Sequence, residues 1–291
     1  ERLDARIRRL FPFELTADQN QAIDEISQDL ARPVPMNRLL QGDVGTGKTA
    51  VAAYAMLLAV AHGAQAVLMA PTEVLARQHF RTISKLLQKS QVRLRYLSGA
   101  TPSKDRLKLC EDLVAGNADL LIGTQAVLHS DVRFDKLGLV IIDEQHKFGV
   151  LQRAGLRQTN TDPHCLVMTA TPIPRTIAMT LFGDLQISSL RNGPPGRQPV
   201  HTYLGDSQQR DRWWDFFRRK LREGEQGFVI SPRLDDKDDE TTSAEAALEH
   251  LSNGELADFK LDLLHGRMKP EDKIRVMQDF ASGQTQVLVS T

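Results

Sequence analysis

Two short stretches of the chain carry residue types that handle phosphates. Gly42-Asp43-Val44-Gly45-Thr46-Gly47-Lys48-Thr49 reads G-x-x-x-x-G-K-[ST]. Its glycines let the backbone curl so that N–H groups converge on phosphate oxygens, and the helix behind it aims its positive end at them. In such a loop Lys48 reaches the β- and γ-phosphates, and Thr49 places its hydroxyl on Mg²⁺. Further along, the apolar run Leu139-Val140-Ile141-Ile142 delivers Asp143 and Glu144. A carboxylate pair at the end of a strand suits metal-assisted attack by water: Asp143 holds the ion, and Glu144 orients and deprotonates the water. Alone, such acids would pass for a helix cap or a solvated turn. Coupled to the upstream loop, they point to a nucleoside triphosphate site.

The elements that must position these groups can be read from hydrophobic periodicity. Arg38-Leu39-Leu40-Gln41 reads as a short buried strand and Ala50 to Ala61 as a helix, so strand, loop and helix fall in the required order. Further β-rich runs are Ala66 to Met69, Val92 to Leu97, Asp119 to Ile122, Leu139 to Ile142 and Cys165 to Met168. Helical patterns such as Glu73 to Leu87 and Lys104 to Val114 lie between them. This alternation predicts a parallel sheet with helices on both faces, and ligands at the carboxyl ends of its strands. The stretch 191–199, rich in proline and glycine, forbids helix and central strand alike and reads as a linker. Beyond it the alternation resumes with Gln198 to Leu204, a helix Gln208 to Leu221, and strands at Gly227 to Ile230, Lys260 to Leu264 and Val287 to Ser290. The expected organisation is an N-terminal amphipathic helix over 1–15, an α/β domain over 16–190, the linker, and a second α/β domain over 200–291. In the helix around Trp213, Trp214, Phe216 and Phe217, periodicity favours core packing over base stacking.

Bulk properties narrow the function. Formal net charge is zero, so any grip on nucleic acid must use a local track rather than global attraction. No run approaches the roughly 18 apolar residues of a membrane span, and the N-terminus lacks the apolar core of a secretory signal, so a cytoplasmic setting is expected. Cys110 and Cys165 are isolated and read as reduced thiols, with no zinc site. The chain opens at Glu1 and stops at Thr291 directly after an apolar run, and both ends read as cut from a longer polypeptide.

Several longer strings carry a family resemblance. Ala70 to His79 (APTEVLARQH), Asp143 to His146 (DEQH) and Thr169 to Thr176 (TATPIPRT) resemble the motifs of superfamily 2 helicases. More narrowly, Asp143 to Val150 (DEQHKFGV), TATPIPRT, Pro194-Pro195-Gly196-Arg197 and Leu264 to Lys269 (LHGRMK) are similar to the motor of the RecG family of bacterial DNA helicases. The resemblance covers nearly the whole chain. It implies two tandem RecA-like domains, the second incomplete at its C-terminus, with ATP and Mg²⁺ as ligands. The implied partner is branched DNA, at stalled forks and Holliday junctions. It also brings single-stranded-DNA-binding protein as a candidate partner, a monomeric state and no membrane association.

Residue by residue, the resemblance implies that Phe13 and Gln19, with Leu15 and Thr16, recognise adenine. Thr16 and Gln19 also spell a capping box, and both readings can hold. Gly42, Gly45, Thr46, Gly47, Lys48 and Thr49 hold the phosphates. Asp143, Glu144 and His146 join Lys48 in catalysis, and Thr49 with Asp143 holds the metal. Gln145, Thr169 and Thr171 couple the nucleotide state to the grip on DNA. The implied strand path runs over Pro71, Thr72, Ser98, Gly99, Gly123 and Thr124 in the first domain, and Ser231, His265, Gly266 and Arg267 in the second. Backbone N–H groups, hydroxyls and arginine suit phosphates held without reading sequence.

There are departures from the family pattern. Gln125 stands where His follows Gly-Thr, and Lys147 stands where Arg is usual, which keeps the charge but loses a bidentate fork. The resemblance places a junction-splitting wedge before residue 1 and an arginine finger after Thr291. Such a finger contributes about 10³ to 10⁵ in turnover, so this stretch alone is expected to bind nucleotide and hydrolyse it poorly. Two rival readings remain. A transcription-repair coupling translocase shares TATPIPRT but reads Asp-Glu-Glu-His and lacks Pro-Pro-Gly-Arg. A non-catalytic ATP-binding scaffold would have little use for Asp143 and Glu144 together.

Overall fold

The computed structural model describes residues 2–143, 162–171, 185–196, 198, 200–231 and 240–291. The chain divides into two compact units, Glu1–Gln198 and Pro199–Thr291. The first is built on seven strands: β1 (Asn37–Gly42), β2 (Gln65–Met69), β3 (Leu94–Leu97), β4 (Leu120–Gly123), β5 (Leu137–Asp143), β6 (His164–Thr169) and β7 (Gln186–Leu190). They pair in the order β3-β4-β2-β5-β6-β1-β7, every pair parallel. Its helices are α1 (Arg2–Arg8), α2 (Ala17–Leu30), α3 (Lys48–Ala61), α4 (Glu73–Leu86) and α5 (Ser103–Val114).

The near-continuous apolar strands follow from burial on both faces. Alternate residues separate into two cores. Ala66, Leu68, Leu120, Ile122, Leu139, Ile141, Leu166 and Met168 pack beneath α2, α3 and the Ile83 face of α4. Val67, Met69, Leu121, Val140 and Ile142 face the other way, against Leu109 and Leu113 of α5. Helix α3 is alanine-rich and buried from Val51 to Leu57, which lets it lie close on the sheet. Thr16 caps α2 through a reciprocal capping box with Gln19, and Thr72 caps α4 through a bond from Leu75 N–H. Helix α1 buries Ile7 in the core beneath α3 and anchors Arg8 on Asp4 and Asn20.

Strand β7 was not anticipated from the sequence, because its residues Gln-Ile-Ser-Ser-Leu are half polar. It is an edge strand held by side chains as well as by its backbone. Gln41 donates to Ser189 Oγ at 2.8 Å, and Arg38 donates to Ser188 Oγ at 2.8 Å and to Gln186. Arg38 is 7% exposed and Asp29 is 4% exposed. The buried guanidinium is neutralised by Asp29 at 2.7 Å and Glu25 at 2.9 Å, as a charge removed from water requires. Conversely, the strand expected over Gln198 to Leu204 does not form: residues 201–206 are irregular, and Val200, Tyr203 and Leu204 are 81%, 79% and 98% exposed. β-Propensity without a neighbouring strand or core face does not make a strand.

The second unit comprises a 3₁₀ turn (Ser207–Gln209), α6 (Arg210–Arg222), β8 (Gly227–Ile230), α7 (Glu240–Asn253), β9 (Leu261–Leu264), α8 (Pro270–Ala281) and β10 (Val287–Ser290). Its parallel sheet runs β8-β10-β9 over a core of Leu221, Leu251, Leu256, Val287 and Val289. Trp214 and Phe217 of α6 pack on this core, with Trp213 stacked on Phe217 at 5.3 Å between ring centroids. Gly227 makes room for them, since a Cβ there would lie 2.3 Å from the Phe217 ring. Among the described residues no helix is long and apolar enough to cross a membrane.

His164 opens β6, and its Nδ1 accepts the Met36 N–H at 2.9 Å. Burial holds the imidazole below its ordinary value of 6.5. Only the neutral ring offers this acceptor. The stabilisation is therefore complete above 6.5 and is lost as pH falls through the lower folded value. Melting temperature should drop more steeply below pH 6.5 in the wild-type chain than in His164→Asn, whose Oδ1 accepts the same N–H at any pH. Identical pH dependence in the two would rule this contribution out.

Candidate functional site

The phosphate loop springs from the carboxyl end of β1. Gly42 stands where a Cβ would lie 2.7 Å from Thr46 Oγ1 and 3.0 Å from Leu190. Gly45 and Gly47 adopt left-handed φ values of 81° and 85°, which glycine tolerates without strain. Helix α3 starts at Lys48 with no side-chain cap, so its positive end is presented as an anion-binding end. The Lys48 ammonium lies over the loop, donating to Gly42 O at 2.6 Å and Asp43 O at 3.1 Å. Thr46 Oγ1 donates to Asp43 O at 2.8 Å and closes the turn.

A side chain from outside the loop fixes its shape. The Gln19 amide, 2% exposed, accepts Thr16 N–H on Oε1 at 2.9 Å and donates Nε2–H to Thr46 O at 2.8 Å. The resemblance assigns Gln19 to the adenine edge. In this structure one donor and one lone pair of the amide brace the loop from within the fold. Phe13, 54% exposed, borders a cavity of about 640 Å³ together with Gly47, Thr49, Ala50 and Ile83. Its lining is mainly apolar, with Arg9, Thr82, Lys85 and Lys89 also contributing, and it adjoins the start of α3.

Asp143 ends β5, 8% exposed. Strand register places it beside Met168 of β6, and Met168 beside Leu40 of β1. Two strand spacings, about 10 Å, therefore separate the Asp143 backbone from the strand that feeds the loop. Thr169 sits between them beside Gln41. Its hydroxyl lies 3.0 Å from that of Thr171 and accepts Thr171 N–H at 3.2 Å. The structure thus brings Lys48, Thr49, Asp143, Thr169 and Thr171 to one edge of one sheet. Glu144, Gln145 and His146 lie outside the described residues, as do Lys147 and Arg197.

The fit to Mg²⁺ can be tested on these side chains. No group of three or more His, Cys, Asp or Glu side chains converges among the described residues. One carboxylate and one hydroxyl facing a phosphate loop suit an ion that keeps most of its waters and arrives with the triphosphate.

The remaining first-unit candidates occupy the neighbouring strand ends. Pro71 and Thr72 follow β2, Ser98 and Gly99 follow β3, and Gly123 and Thr124 end β4. Backbone bonds tie these ends together: Ala70 N–H to Gly123 O at 2.9 Å and Thr124 N–H to Leu97 O at 3.1 Å. Gly123 is required by close approach, since a Cβ would lie 2.3 Å from Leu97 O. Thr72 and Thr124 also cap the turns behind them. Ser98 is 1% exposed, whereas Gly99 opens on free space. Beside them, burial raises the Tyr96 hydroxyl above its ordinary value, so it remains a donor. In the second unit, Ser231 follows β8, and His265, Gly266 and Arg267 follow β9, all at the carboxyl edge of that sheet.

Two features escaped the sequence reading. Asp18 accepts the Arg191 and Asn192 N–H groups at 2.8 Å each, and these N–H groups, Asn192 first, hold its carboxyl below the usual range. His79 of α4 places Nε2 2.6 Å from Asp143 Oδ2. The signal for His79 was present in the string APTEVLARQH, but nothing in the sequence showed what it would touch.

Comparison with known proteins fits this geometry. The DEAD/DEAH box helicase family profile matches residues 16–180, and the helicase conserved C-terminal domain matches residues 210–291. The ATP-dependent DNA helicase RecG of Synechocystis sp. is 44% identical over 97% of this chain, which covers 34% of that protein. That of Treponema pallidum is 42% identical over 99% of the chain and 43% of the protein. The chain thus spans well under half the length of these relatives. A solved structure of RecG bound to a three-way DNA junction superposes with a TM-score of 0.80 at 40% identity, covering 100% of this chain and 38% of that one. DEAD-box helicase Mss116 bound to ssRNA shares the fold, with a TM-score of 0.71 at 17% identity over 99% of this chain and 62% of that one.

The Gln19 brace makes a prediction. Gly47→Ala puts a Cβ 2.2 Å from Gln19 Nε2 and should weaken binding of a fluorescent ATP analogue about tenfold, about 1.4 kcal/mol. Gln19→Ala should weaken it as well, and the two losses should be less than additive, because both variants disturb the bond to the Thr46 carbonyl. Additive losses would show that the brace is not what Gly47 protects.

Proposed function

Given that the chain belongs to the DEAD/DEAH box helicase family and carries that family's partner C-terminal domain, we propose that it is the ATP-driven motor of a RecG-type DNA helicase. The observation that carries this reading is the shared sheet edge on which Asp143 and the phosphate loop stand two strands apart. ATP is the substrate. The loop N–H groups and Lys48 hold its phosphates, Phe13 and Gln19 hold its base, and Glu144 orients the attacking water. Thr49 and Asp143 hold Mg²⁺, which when bound neutralises charge on the β- and γ-phosphate oxygens. His146 completes the catalytic set, and Gln145, Thr169 and Thr171 relay the nucleotide state to the strand ends that grip DNA.

The DNA is branched, as in replication forks and Holliday junctions. Support comes from the 42–44% identity to RecG helicases and from the likeness to RecG on a three-way junction. Each unit contributes part of the grip through backbone and hydroxyl groups, in keeping with phosphate contacts that ignore sequence. The protein acts as a cytoplasmic monomer, and single-stranded-DNA-binding protein is its candidate partner at forks.

In the full-length protein that contains this chain, Lys48→Ala should abolish ATP-driven unwinding of a synthetic fork while gel-shift affinity for that fork stays within about twofold, since phosphate contacts dominate DNA affinity. Unwinding at the wild-type rate would sink the motor reading. ATP turnover by the wild-type protein that branched DNA fails to stimulate would favour the scaffold reading instead.

A further inference from the structure

We propose that His79 is a positioning residue for the metal-holding carboxylate, fixing which oxygen of Asp143 faces the nucleotide. The inference rests on the ATP–Mg²⁺ reading above and extends it to a residue outside the nucleotide-binding set. His79 Nε2 and Asp143 Oδ2 lie 2.6 Å apart, and the two residues are each 8% exposed. An ionised carboxylate only accepts hydrogen bonds, so the ring donates from Nε2. That bond engages Oδ2 and leaves Oδ1 as the oxygen for the metal. A carboxylate at the end of a strand can rotate about its Cβ–Cγ bond. A buried donor on one oxygen removes that freedom, which is how partners behind metal ligands raise affinity.

The helix that supplies His79 gives the contact a second meaning. Helix α4 is capped by Thr72, at the strand end where the first unit's DNA candidates gather. Seven residues later, two helical turns along, the same helix delivers His79 to Asp143. A rigid helix therefore joins a strand end of the proposed DNA track to the carboxylate of the proposed metal site.

The test uses the full-length protein and a fluorescent, non-hydrolysable ATP analogue, titrated with Mg²⁺, together with Mn²⁺ binding followed by electron paramagnetic resonance. His79→Ala should raise the half-saturating Mg²⁺ and the Mn²⁺ dissociation constant about tenfold, with analogue affinity in the absence of metal unchanged. His79→Gln, whose Nε2 can reach the same oxygen, should restore most of the loss. ¹⁵N spectra of histidine-labelled wild-type protein, which need no variant to fold, should show His79 as the Nε2–H tautomer. Its signal should move on adding the analogue with Mg²⁺ but not on adding the analogue alone. Unchanged metal binding in His79→Ala, or an Nδ1–H tautomer, overturns the inference. Failure of the wild-type protein to bind the analogue with Mg²⁺ would instead overturn the nucleotide reading on which it rests.

Discussion

The local order of the nucleotide end depends on one side-chain amide. Gln19 is sealed from solvent, capped on one side by Thr16 and bound on the other to the carbonyl of Thr46. A loop of glycines has little conformational preference of its own, so its shape must be imposed by something stiffer. Here that is the first turn of α2. The preceding residue, Asp18, uses the same turn to hold the N–H groups of Arg191 and Asn192. Adjacent side chains thus fasten the phosphate loop and the stretch that follows β7 to one helical turn.

Parallel pairing does the rest. With every strand of the first sheet running the same way, all loops that leave carboxyl ends emerge on one edge. The strand order divides that edge. β5, β6 and β1 bring Asp143, Thr169 and the phosphate loop together, and β3, β4 and β2 bring Ser98, Gly123 and Pro71 together. The boundary falls between β2 and β5, and α4 crosses it, starting beside Pro71 and reaching Asp143 through His79. Strand order thus keeps the two groups of residues apart along one edge.

Much of this was legible because it is local. The phosphate loop, the Asp143 strand and the Thr16–Gln19 box are contiguous patterns whose spacing states their geometry, and the alternation of buried strands with helices follows from period alone. What was not legible depends on tertiary partners. Gln186 to Leu190 does not look like a strand until Arg38 and Gln41 supply donors along its edge. Val200 to Leu204 has strand composition but pairs with no strand among the described residues. His79 and Asp143 are 64 residues apart, and only the fold makes them neighbours.

The hold of Asp18 on residues 191 and 192 also sets a length. With those residues pinned to α2 and a 3₁₀ turn opening at Ser207, only 193–206, about 14 residues, is left as tether, at most roughly 50 Å when drawn taut. A leash that short keeps the two units at millimolar effective concentration for one another. Releasing Asp18 would free residues 191 and 192 and add their length to the leash, so one carboxylate sets its reach.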